Sequence, residues 1–253
     1  MLASRVLFFA LFFFPMFAFS KEGHVYLGAQ VGPSFAKLSK KNPQISYVSG
    51  VPITDAYPLN NNQAVAVMLN LNGGYEFTGA NWKPAIALGV GVYFNPQDYH
   101  YRGKVIETAE GDPSNTLFNY SYKIKTVRAL AEIQFTWILP YLSPFINFGL
   151  GPVWNKAHSF TETAVTDTGY TALPPFQAHT KLNVAFQVGV GVSAGFNFKK
   201  VDSGCPRERI SVGYHYAYLG PTSFDTRGSD YPYPLKTGSL MTNDLYFAYT
   251  HLF

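Results

Sequence analysis

Only 13% of the residues are Asp, Glu, Lys or Arg, so the few ionisable side chains set among apolar ones mark where chemistry could lie. Glu76, Arg128, Glu132, His215 and Asp244 all stand in stretches rich in Val, Ala, Gly, Leu or Tyr. A charge withdrawn from water is tolerable only when paired and hydrogen-bonded, so Arg128 is expected to be bridged by Glu132, Asp244 or both. Lys123, Lys125 and Lys156 form a second group, whose side chains could hold a phosphate between them. Nucleophilic catalysis needs a nucleophile and a base within hydrogen-bond reach, and the sequence spaces no such pair. No catalytic residue is assigned, and the chain is not expected to be an enzyme. The six His (24, 100, 158, 179, 215, 251) show no metal-ligand spacing, so no metal and no other cofactor is expected. Glu107, Glu110 and Asp112 read as solvated carboxylates rather than a calcium site. The single Cys205 excludes an internal disulfide framework and reads as a lone thiol, with a disulfide to a partner as the alternative.

Strict two-residue alternation supplies the elements that must position these residues. In the clearest segment Leu182, Val184, Phe186, Val188, Val190, Val192, Ala194, Phe196 and Phe198 share one face, while Asn183, Gln187, Ser193, Asn197 and several Gly share the other. Apolar faces outward and polar inward invert a water-soluble sheet. Seven further segments repeat the pattern: His24–Ala36, Asn62–Phe77, Trp82–Asn95, Phe118–Ile138, Pro144–His158, Glu208–Leu219 and the terminal Leu245–Phe253. The last places Phe247, Tyr249, His251 and Phe253 on one aromatic face, with Phe253 at the periplasmic rim. Parity turns Glu76, Arg128, Glu132, His215 and Asp244 inward. If the turn between the fourth and fifth segments centres on Pro140 and Tyr141, Lys125 sits opposite Lys156, both outward, with Lys123 one step higher.

Connections alternate as well. Thr78–Asn81, Leu139–Ser143 and Lys199–Arg207 are short, whereas Lys37–Asn61, Pro96–Leu117, Phe160–His179 and Gly220–Gly238 are long. Short turns at one end, long loops at the other and an even strand count describe an all-β, eight-stranded, antiparallel up-and-down transmembrane barrel with both termini periplasmic. Residues 1–20 read as a cleaved signal peptide: Arg5, an apolar run to Phe17, then Ala18-Phe19-Ser20. Residues 21–253 form the barrel as one domain. The run is too short to span as a helix, and beyond it no window reaches the ~20 apolar residues a spanning helix needs. A charge-poor chain with 22 Phe and 18 Tyr then satisfies its backbone in lipid only as a closed barrel. A net charge of +4, or +3 after loss of Arg5, argues against a nucleic-acid partner.

At this point the chain resembles the eight-stranded outer-membrane barrels of the OmpA-like and opacity-protein type, over Lys21–Phe253. The most specific piece is Ser211-Val212-Gly213-Tyr214-His215-Tyr216-Ala217-Tyr218-Leu219-Gly220, similar to the family's seventh strand, with His215 where the family often carries Arg. The resemblance implies a Gram-negative outer-membrane location. Outer-membrane lipid and lipopolysaccharide, the barrel assembly machinery at the C-terminal strand, and a host or surface ligand at the loops are the implied partners. Three roles stay open. The polar lumen suits a structural plug, with adhesin-like contact through Tyr-, Pro- and Thr-bearing loops; it also suits a narrow gated conduit for small or hydrophobic solutes. Small-barrel lipid A deacylases carry His-x-Ser-Asn on a late strand, but His215-Tyr216-Ala217-Tyr218 contains no Ser. The three lysines read either as a lipopolysaccharide phosphate site or as side chains snorkelling to the headgroups.

Overall fold

Alternation rather than a helical period dominates every segment, and each long one extends as a strand. The computed structural model describes residues 23–49, 51–77, 84–109, 115–139, 141–165, 176–196, 207–227 and 233–253. The signal segment, Trp82, Glu110, Asp112, Pro140, Thr166, Thr168, Tyr170, Thr171, Phe198, Cys205 and Tyr231 lie outside the described residues. The strands are β1 (Gly23–Leu38), β2 (Gln44–Ser49), β3 (Val51–Ala56), β4 (Gln63–Phe77), β5 (Ala85–Phe94), β6 (Tyr99–Ala109) and β7 (Asn115–Thr136). They continue with β8 (Ser143–Ala164), β9 (Phe176–Gln177), β10 (His179–Phe196), β11 (Glu208–Ser223), β12 (Asp225–Thr226) and β13 (Lys236–Leu252).

Eight of them close a ring in the order β1-β4-β5-β7-β8-β10-β11-β13, every pair antiparallel. Closure is made by the first and last strands, from Tyr26 opposite Leu252 to Leu38 opposite Leu240. Phe253 N donates to Val25 O at 2.9 Å, so the start of β1 and the end of β13 meet at one rim. The outer wall is apolar: Val184 is 67% exposed, Phe247 64% and Leu71 62%, whereas His215 and Asp244 are wholly buried. In water such a wall would be untenable; against acyl chains it is the required surface. Trp137, Ile138, Leu139, Tyr141 and Leu142 add an exposed apolar collar at the turn between β7 and β8.

Two expected loops are not loops. The region 37–61 contains the β2–β3 hairpin and the region 96–117 contains β6, and these join the sheet in the order β2-β3-β6-β7. β5 pairs with β7 up to Phe94 opposite Val127; β6 takes over from Tyr99 opposite Ile124. β8 likewise runs past its expected end at His158 to Ala164, and the last strand begins at Lys236, well before Leu245. The sheet therefore continues beyond the barrel as an extension on one side. Here the pattern reverses: Tyr99, Tyr101 and Val105 are buried, while His100, Arg102 and Lys104 are exposed. Ser159 (φ 55°) lies where the β7–β8 register slips, and Gly220 (φ 77°) sits at the bulge between β11 and β13, a conformation glycine adopts without strain.

Glu162, on the extension part of β8, is pushed up to about 7 by burial and then by Asp55. A carboxyl whose folded pKa lies above its unfolded value stabilises the fold fully below the unfolded value, and that contribution is lost as pH rises through the folded one. Protection factors of the amides of residues 115–121 and 160–164, that is, exchange rates corrected for their intrinsic base-catalysed pH dependence, are therefore expected to rise between pH 8 and pH 5.5. Glu162→Gln should abolish most of that difference; an unchanged pH dependence in the variant would assign it to other groups.

Candidate functional site

The ring turns its polar residues into a lumen that eight strands leave too narrow for an open channel. At its centre β7 presents Arg128 and β13 presents Asp244, with Nη2 donating to Oδ2 at 2.7 Å. Arg128 Nη1 also reaches Thr242 Oγ1 at 3.3 Å, and its guanidinium lies 4.4 Å above the Tyr93 ring. Ser34 donates to the other Asp244 oxygen, and its hydroxyl meets Tyr99 Oη at 2.6 Å. Asp244 is thus satisfied on both oxygens, which makes the buried pair tolerable.

Glu132 does not bridge Arg128. Its Oε1 accepts from the Tyr93 hydroxyl, which also receives Gln187 Nε2 at 2.9 Å. Tyr93 therefore links carboxylate and guanidinium, one through its hydroxyl and the other through its ring face. Parity on β5 places it inward, between outward Val92 and Phe94, but a tyrosine among apolar residues gives no charge signal. His215 packs against Tyr246 with ring centroids 4.3 Å apart, and its Nε2 lies 3.1 Å from Asn147 Nδ2.

A second ion pair closes the other end of the lumen. Arg209 grips Glu76 with two parallel bonds, Nη1 to Oε2 at 2.5 Å and Nη2 to Oε1 at 2.7 Å. The sequence reading placed Glu76 inward but not Arg209. With Ile210 outward, the same alternation turns Arg209 in, next to the strand's first residue. Between this pair and Glu132 lies a polar cavity of about 50 Å³, lined also by Tyr26, Asn72, Gln134 and Ser193.

The lumen is less polar than expected. Leu130, Phe145, Val153 and Met68 are buried inward, and above Arg128 the interior becomes an aromatic cap. Tyr57, Tyr120, Tyr122, Phe160, Phe176 and Phe224 pack with centroids 4.9–6.5 Å apart.

Lys125 stands opposite Lys156 and Lys123 opposite His158 on the outer face. β6 adds His100 opposite Lys123, with Arg102 and Lys104 higher on the same exposed side. Partial burial, then Arg102 and Lys123, hold the His100 imidazole below its ordinary pKa. The patch was only half visible in the sequence, since β6 lay within an expected loop. Beside it, His158 Nδ1 meets the Ser159 hydroxyl at 2.9 Å and Nε2 lies 3.3 Å from Asp98. That hydroxyl belongs to the next residue along a bulge, so the contact follows from the local backbone. At the terminal strand, Phe247, Tyr249 and Phe253 are exposed on the outer wall; the His251 ring meets Phe253 edge-to-face and approaches Glu208 at 3.7 Å.

An even antiparallel ring with an apolar exterior and paired charges inside is the architecture of the outer-membrane β-barrels. The chain has that fold. No protein-family model matches it, and no curated protein matches it in sequence. Neisserial surface protein A is similar in structure, at 14% identity over 92% of this chain and 100% of that one, with a TM-score of 0.45. Ail, the attachment invasion locus protein of Yersinia pestis, gives 15%, 92%, 99% and 0.36. OprG from Pseudomonas aeruginosa gives 11%, 92%, 98% and 0.39. Likeness at this identity concerns the fold alone.

Arg128→Ala should destabilise the barrel by roughly 3–5 kcal/mol by leaving Asp244 charged and buried, whereas Arg128→Met/Asp244→Leu should cost less than either single change. Urea unfolding in phospholipid vesicles measures this. Simple additivity of the two single effects would show that the residues do not act as a pair.

Proposed function

We propose that this chain is a non-enzymatic integral protein of the Gram-negative outer membrane, both termini periplasmic, that is closed to solutes and works through its exterior. The observation that carries this reading is a lumen occupied along its length by the Arg209–Glu76 pair, the Arg128–Asp244 pair and the aromatic cap. A path for solute would have to break both pairs and part the cap. The extension is instead built of hydrogen-bonded strands, and its outermost strand β2 pairs, among the described residues, with β3 alone. An ordered tower above a sealed barrel suits contact with a host or neighbouring surface.

Lipid is the second partner in this reading. Directly opposed lysines repel, and a lipopolysaccharide phosphate held between Lys125 and Lys156, with Lys123 above, would relieve that repulsion. The outward aromatic face of β13 suits engagement by the barrel assembly machinery. A narrow gated conduit is the second functional reading, supported by the polar cavity below Glu132.

In planar bilayers both the native protein and Arg128→Ala should be silent; steady unitary conductance that responds to that substitution would make the conduit the better reading. Bacteria displaying a barrel with the 44–56 hairpin replaced by a short Gly-Ser turn should lose attachment to host cells while keeping heat-modifiable mobility. Undiminished attachment would remove the tower from the interaction. Lys125→Ala/Lys156→Ala should weaken retention of phosphorylated lipid A about tenfold or more, as loss of two charged contacts implies; equal retention would leave the lysines as snorkelling side chains.

A further inference from the structure

The extension rises on one side only. On the other, the ends of β1, β10, β11 and β13 surround a cleft of about 450 Å³, within the ~300–1,000 Å³ of small-molecule sites. Its charged lining is Lys40, Lys181 and Lys236, with His179 and Asp225. Asp225 is taken by His179 Nδ1 at 2.7 Å, and none of the three lysines makes a salt bridge among the described residues. Among the described residues, three lysines against one carboxylate leave the cleft with an uncompensated charge of +2 when His179 is neutral.

The walls are fixed. Ser39 N donates to Ser239 O at 2.9 Å and Ser239 N to Ser39 Oγ at 2.8 Å, locking the end of β1 to β13. Gly238 (φ 95°) lets β13 pass so close that an added Cβ would meet Lys40 N at 2.9 Å and Lys40 Cγ at 3.0 Å. Thr237 Oγ1 donates to Thr222 O at 3.0 Å, and Asn183 Nδ2 to Pro221 O at 3.0 Å, holding β11 between its neighbours. Lys181 is half-buried on the inward side of β10, unlike Lys125 and Lys156, which point outward along the wall.

We infer that this mouth cleft is an anion site for a phosphorylated ligand, bound by Lys40, Lys181 and Lys236 acting together. Lysine offers a compact charge with three donors and suits a phosphoryl group without demanding one planar geometry. A cluster of like charges held in place by backbone contacts has unmet electrostatic demand, which a multiply charged anion satisfies better than separate counterions do. The phosphoryl groups could belong to a free oligophosphate or to the sugar core of a neighbouring lipopolysaccharide folded over the low rim. The chemistry is the same in both cases, and competition separates the sources.

The test is titration calorimetry of detergent-refolded protein, free of lipopolysaccharide, with inorganic tripolyphosphate at about 50 mM salt, where exposed charges are weakly screened. Saturable binding is expected, weakened roughly tenfold for each lysine lost in Lys181→Ala and Lys236→Ala. Lys125→Ala/Lys156→Ala should bind as the native protein does. Heat-modifiable mobility checks that each variant is folded, and Lys181→Gln/Lys236→Gln provides a pair that preserves side-chain length. Displacement by lipopolysaccharide with a phosphorylated core, but not by the same molecule after core dephosphorylation, supports the site with lipid as source. Displacement by neither supports it with a free oligophosphate as ligand. Absence of saturable heat, or equal affinity in folded Lys181→Gln/Lys236→Gln, overturns the assignment.

Discussion

Every backbone N–H and C=O that enters the hydrocarbon must find its partner within the protein, because lipid offers none. For a chain whose segments alternate with period two, the solution is closure of the sheet on itself, and the pairing of β1 with β13 is where it happens here. Much else follows from that pairing. It brings the start of β1 and the end of β13 to one rim. It forces the side chains of all eight strands to divide between a wall and a lumen. Because a one-residue slip would exchange the two, the apolar wall pins the register of every pair. Leu27, Leu71, Val90, Val184, Phe247 and their neighbours are outward not by separate preferences but by one shared parity.

Closure around eight strands then decides what the inside can hold. The space is side-chain sized, so each inward charge must be answered by another inward residue close at hand. Arg128 and Asp244 are far apart in sequence and lie on strands on different sides of the ring, yet they meet across the axis with Ser34, Thr242 and Tyr99 completing the shell. Arg209 and Glu76 do the same lower down. Two cross-lumen clamps and an aromatic cap leave little freedom to the interior. The outer face, the mouth and the tower are the surfaces that the ring does not constrain.

The membrane part of this design was legible from the sequence, and the reasons are visible residue by residue. β10 alternates without a break, so its outward face could be read directly. A turn expected to centre on Pro140 and Tyr141 implies which residues of β7 and β8 oppose one another, and the structure sets Lys125 against Lys156 as that register requires. The inward set containing Glu76, Arg128, Glu132, His215 and Asp244 followed from parity, but the pairing did not: parity says which residues share the lumen, not which heights coincide. Heights depend on the stagger between strands around the whole ring, which is why Glu132 meets Tyr93 rather than Arg128. Arg209 was missed because it lies beside the first residue of its strand.

The extension escaped the sequence reading for a different reason, and that reason locates the edge of the bilayer. Outward residues of β7 run Lys123, Lys125, Val127, Ala129, Ala131, Ile133 and Phe135, while inward residues run Tyr120, Tyr122, Ile124, Thr126, Arg128, Leu130 and Glu132. A single strand thus changes from charged-outside, aromatic-inside to apolar-outside, mixed-inside within one or two residues of Thr126, without any change of parity. What changes is the solvent. Above that level the sheet faces water and obeys the rule of soluble proteins, burying Tyr99, Tyr101, Tyr120 and Tyr122 and exposing His100, Arg102 and Lys104. A search for apolar-outside strands passes over β6 because its exposed face carries His100, Arg102 and Lys104. The crossing point also accounts for the basic patch: Lys125 and Lys156 are the first outward residues beyond the apolar wall, where the same parity begins to present charge instead of hydrocarbon side chains.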